Sequence, residues 1–78
     1  MIVSVHIEKK TNRLIVHHTE CSANTIYDIY NSSGQIKLFG FLSSEPKTSI
    51  DISQLPKNGY FIQIITKGNV FRKAFKLE

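Results

Sequence analysis

The sequence has one cysteine, Cys21. An intramolecular disulfide is therefore excluded, and the thiol has no partner ligands at metal-binding spacing. As a nucleophile it would need a base. His17 and His18 are close in sequence, but neighbours along a strand need not meet in space. Cys21 reads as a small apolar residue in a loop, dispensable for the fold. Long apolar runs are also missing: none approaches the roughly 20 residues of a membrane-spanning helix. MIVSVHIEKK has neither a basic leader nor an extended apolar stretch with a cleavage site, so it does not read as a signal peptide. An exported form would carry its signal elsewhere. No stretch holds a helical period, and no repeat or low-complexity linker divides the 78 residues.

Chemistry-bearing constellations are similarly sparse. The six carboxylates are spread singly, and no pair suggests general acid and base roles. Neither a phosphate-cradling glycine loop nor a serine elbow is present. His6, His17 and His18 fall in the first two strands, and a hairpin would bring His6 near one of the others. They read as exposed or edge-strand histidines, because a zinc site needs three or four ligands in fixed geometry. No catalytic, cofactor or metal residues are assigned, and the chain is not expected to be an enzyme.

Positive charge exceeds negative, ten Lys and Arg against six Asp and Glu, net +4. The cations are scattered, as on sheets whose charges keep edges unpaired. Only Arg72, Lys73 and Lys76 cluster. No aromatic–basic signature of an RNA-binding sheet accompanies them, so nucleic acid is not the expected partner.

What the sequence has in quantity is alternation. Ile2–Ile7, Leu14–His18, Thr25–Asn31, Ile36–Leu42, Thr48–Ile52, Gly59–Thr66 and Val70–Leu77 each read as a strand. Polar turns separate them: Glu8–Asn12, Ser32–Gln35 with Gly34, and Lys67–Gly68–Asn69. Seven short strands in 78 residues predict a single antiparallel immunoglobulin-like β-sandwich. The expected core is Val5, Leu14, Val16, Ile29, Ile50, Ile52, Leu55, Tyr60, Ile62 and Ile64, with Tyr27, Ile36 and Leu38 also inward. Tyr30, Phe39, Phe41 and Phe61 fall on outer faces, a sizeable aromatic set of the kind that marks a partner surface. The strand carrying Phe39 and Phe41 should be covered on both sides or bend at Gly40. In the last strand Phe71, Lys73, Phe75 and Leu77 share one face, Val70, Arg72, Ala74 and Lys76 the other, and alternation leaves open which is inward.

The stretch IDISQLPKNGYFIQI, residues 50–64, organises the rest. Pro56 cannot donate to a ladder, so the first strand stops there. Asn58 and Gly59 tolerate positive φ before the second strand starts. Leu55, Pro56, Gly59 and Tyr60 form the motif. This segment, with TIYDIYNSSGQ, Lys67–Gly68 and the terminal RKAFKL, resembles the type A C-terminal sorting domain of the type IX secretion system of Bacteroidetes. The likeness covers roughly residues 25–77. Asn58 stands where that family usually has glycine, and the family's N-terminal Tyr-Pro-Asn-Pro segment has no counterpart. Secreted immunoglobulin-like domains of Bacteroidales, without an assigned function, are similar as well. The first resemblance implies a module recognised by the outer-membrane secretion machinery through Gly68, Arg72, Lys73 and Lys76. The second implies a structural or adhesive domain binding protein or glycan through its aromatic face. Both imply a protein secreted or at the cell surface, reached through the periplasm, with no cofactor; the partner expected is a protein, the secretion machinery or a surface protein, with glycan the alternative under the second.

Overall fold

The computed structural model describes residues 2–18, 25–43, 46–66 and 68–78; Cys21 lies outside them. Alternating β-branched and aromatic residues favour a pleated, half-buried ladder over a helix. Among the described residues seven strands form: β1 (Ile2–Glu8), β2 (Arg13–His18), β3 (Ile26–Asn31), β4 (Ile36–Phe41), β5 (Lys47–Asp51), β6 (Gly59–Thr66) and β7 (Asn69–Lys76). They make two antiparallel sheets, β1-β2-β5 and β4-β3-β6-β7. The result is a small immunoglobulin-like β-sandwich.

Three hairpins stay within a sheet, and the other connections cross between sheets. Asn12 takes φ 53° beside β2, and Gly34 and Gly68 take φ 83° and 82° in their turns. At Gly34 the Gly34 N–H bonds the Asn31 carbonyl at 3.0 Å, and the Asn31 side-chain oxygen accepts the Ser33 and Gln35 N–H groups. Asn31 thereby satisfies a turn backbone that has no ladder partner.

The core lies between the sheets. Val5, Leu14, Val16, Ile29, Ile50, Ile52, Tyr60, Ile62 and Ile64 are buried as alternation requires, and Leu55 packs partly buried against them. Leu42 joins the cluster from just beyond β4. In β7 the ambiguity resolves: Phe71, Phe75 and Leu77 pack against the core, so Arg72, Ala74 and Lys76 face out.

Several expectations fail for definable reasons. Ile36 is 59% exposed, not inward. The β3–β4 register pairs Ile29 with Leu38 but Tyr30 with Ile36, so Lys37 is an extra residue in a bulge and the face inverts there. β4 is continuous through Gly40, and Phe39 and Phe41 remain 77% and 69% exposed, so the strand is neither bent there nor covered on both faces. Gly40 makes room instead: a Cβ there would meet the Tyr27 ring at 3.0 Å. Asn58 and Gly59 adopt no positive φ.

Ile62 is fully buried on β6, an inner strand of the larger sheet, opposite Ile29. Ile62→Ala should cost about 2–5 kcal/mol, a threat to a domain whose total is only about 3–5 kcal/mol. Chemical denaturation measures it, and a loss under about 0.5 kcal/mol would contradict this packing.

Candidate functional site

β5 ends where the chain must change sheets. Asp51 accepts the Ser53 N–H at 2.9 Å and Leu55 N–H returns to the Ile52 carbonyl at 3.1 Å. The Ser53 side chain first, then the Ser53 N–H and the nearby Arg13 charge, hold the Asp51 carboxyl below its ordinary value. After Pro56 the chain re-enters as β6, and the Tyr60 hydroxyl donates back to the Pro56 carbonyl at 2.6 Å. A tyrosine at the start of a strand bonding backbone a few residues upstream is the tyrosine corner of immunoglobulin-like sandwiches. The Asn58 carbonyl accepts the Leu77 N–H at 2.9 Å, tying the end of the last strand to the same corner. Leu55, Pro56 and Tyr60 thus form one unit. Gly59 is replaceable on steric grounds, since a Cβ there meets nothing within 4 Å.

The basic cluster does not assemble on one surface. β7 is terminal in the order β4-β3-β6-β7. Arg72 and Lys76 point to the outer face, whereas Lys73 lies on the side of Phe71 and Phe75, exposed at the edge. Arg72 is held by Gln63, whose side-chain oxygen accepts from Nη2 at 2.7 Å and Nε at 3.3 Å. Gly68 lies in the turn at the opposite end of β7 from Lys76.

The outer face of the four-stranded sheet is built in rows across β4, β3, β6 and β7. One row reads Phe41, Ile26, Ile65, Val70. The next reads Phe39, Asp28, Gln63, Arg72. The third reads Ile36, Tyr30, Phe61, Ala74, with the Tyr30 and Phe61 rings stacked at 5.5 Å. Phe39, Phe41, Ile36 and Val70 (61% exposed) are the most exposed large apolar residues among those described, and all four belong to this face. Alternation placed Phe39, Phe41, Phe61 and Tyr30 here. It missed Ile36, because a bulge leaves no unambiguous sign in sequence.

The smaller sheet carries the histidines. His6 and His17 stack with ring centroids 5.3 Å apart on its outer face, the proximity a β1–β2 hairpin implies. No group of three metal-ligating side chains occurs among the described residues. His18 departs from expectation. β2 is the middle strand of its sheet, and His18 is buried beside Thr48, with Nε2 to Oγ1 at 2.9 Å. Thr48 Oγ1 accepts the Ser43 N–H at 2.9 Å and lies 3.1 Å from Ser43 Oγ, which donates to the Lys47 carbonyl at 3.0 Å. A neutral imidazole carrying its proton on Nε2 satisfies this chain in one direction: His18 to Thr48, Thr48 to Ser43, Ser43 to Lys47. Nδ1 is buried with no hydrogen-bond partner among the described residues. Burial, chiefly, pushes the His18 pKa below its ordinary 6.5.

No family model matches the chain, and no curated protein matches it.

The buried imidazole sets an acid limit. Below about pH 6.5 the unfolded chain takes a proton at His18 that the folded one refuses, so this stability is whole above that pH and falls beneath it. Asp51 acts lower, losing its contribution as pH falls through the carboxylate range. The urea midpoint should therefore drop from about pH 7 to about pH 5, and His18→Gln should flatten that drop. An unchanged slope in the variant would contradict the neutral buried histidine.

Proposed function

We propose that this domain is a non-enzymatic recognition module, and in its most specific form a sorting domain bound by the type IX secretion machinery. The observation that carries it is the position of β7. It is the last strand in its sheet, with one backbone edge unpaired by any described strand, and it presents exposed Lys73 and Lys76 beside that edge. An open edge supports recognition by strand addition, and the cations steer an acidic partner toward it. The sequence likeness in residues 50–64 and in the terminal basic strand supports the narrower reading. Such a module acts at the cell surface, reached through the periplasm, with a protein as partner and no cofactor.

The exposed aromatic residues on the outer face of β4-β3-β6-β7 favour a second reading, a surface domain of structural or adhesive type. It differs in which surface is bound: the sheet face rather than the strand edge.

A reporter fusion separates them. Residues 1–78 behind a secretory signal should carry the reporter to the surface of a host with type IX machinery. Arg72→Ala, Lys73→Ala and Lys76→Ala together should leave it in the periplasm while the domain stays folded by circular dichroism. Periplasmic retention of the intact fusion would overturn the sorting reading and leave the surface domain as the better account.

A further inference from the structure

We propose that the outer face of the four-stranded sheet is covered by a second copy of this chain, packed face to face about a two-fold axis parallel to the strands. The inference deepens the surface-domain reading by naming the partner, and it rests on that reading alone.

The face is large for so small a domain. With an aromatic side chain offering roughly 200 Å², the exposures of Phe39, Phe41, Ile36 and Val70 amount to about 450–500 Å². That is over half of the roughly 800 Å² per partner that a stable interface buries, before the half-buried residues between them are counted. An apolar patch of this extent ordinarily meets another surface.

The pattern selects the partner and the axis. A two-fold parallel to the strands, lying between β3 and β6, reverses each row and sets it on itself. Phe41 then faces Val70 of the other copy, and Ile26 faces Ile65. In the third row Ile36 faces Ala74, large against small, and Tyr30 faces Phe61. A shallow recess lined by Gly59, Phe61, Ala74 and Lys76 lies where Ile36 arrives. The middle row is decisive. Asp28 comes over Gln63 of the other copy, where the Arg72 guanidinium is already held at 2.7 Å. Each of the two equivalent halves gains an Asp28–Arg72 ion pair, and Phe39 lies over the arginine. An axis across the strands through the same row would instead stack Asp28 on Asp28, which like charge disfavours. Sheets packed in this aligned manner sit about 10 Å apart, within reach of these side chains.

Sedimentation equilibrium of the purified 78-residue chain over about 1–300 μM tests this. A monomer–dimer equilibrium is expected. Arg72→Asp or Asp28→Arg alone should weaken association at least about tenfold, and the two together, which exchange the charges, should restore it. Phe39→Gln should also weaken it; this residue is too exposed in the single chain to be needed for folding, so it decides the matter if a charge variant unfolds. A monomer throughout the range, a dimer indifferent to the single charge changes, or a double variant that stays monomeric would overturn the proposal. None of those results touches the sorting reading, which the reporter fusion decides separately.

Discussion

The hydrogen bond from the Tyr60 hydroxyl to the Pro56 carbonyl joins the two halves of this molecule. β5 belongs to one sheet and β6 to the other, so the segment between them must carry the chain across the sandwich without a ladder of its own. Pro56 removes a donor from that segment, and Tyr60 supplies an acceptor's partner to it. The ring that delivers the hydroxyl is itself buried and stacks on Phe75 at 5.8 Å. One side chain therefore ties the crossover segment to the start of β6 and packs on the inward face of β7, while the Asp51–Ser53 and Leu55–Ile52 bonds hold the exit from β5.

Fixing which residues of β6 point inward decides both surfaces of the larger sheet. With Tyr60, Ile62 and Ile64 in the core, Phe61, Gln63 and Ile65 must face out. Their cross-strand partners follow, and a face with two apolar rows and one polar row results. The polar row gives that face a register: apolar residues alone would slide, whereas Asp28 and Arg72 accept few alignments. The edge of β7 and the face of the sheet are separate surfaces, so strand addition at one need not obstruct packing at the other.

Much of this was legible in the sequence because period-2 alternation is a local signal. Strand positions, nearly all of the core and the Gly34 and Gly68 turns follow from residue type alone. Ile36 was not legible: the bulge at Lys37 is a property of the β3–β4 pairing, and the flanking residues look like an unbroken strand. His18 was missed because polarity suggested exposure, whereas β2 lies between two neighbours and Thr48 on β5 supplies the bond that makes burial tolerable. The role of Gly40 was misread for a related reason. Its missing side chain serves Tyr27 on the adjacent strand, not a bend in its own. The basic cluster reads as one feature in sequence, yet alternation splits it across two faces, with Arg72 engaged by a neighbouring side chain at Gln63.

The claim that the corner locks the sandwich is tested most directly by Tyr60→Phe, which keeps the ring and its stacking and removes only the hydroxyl. Chemical denaturation should show a loss of about 1 kcal/mol, a substantial share of the stability of a domain this small, with the cooperative transition retained. A midpoint indistinguishable from that of the unsubstituted chain would contradict the account, and would place the organising constraint in apolar packing alone.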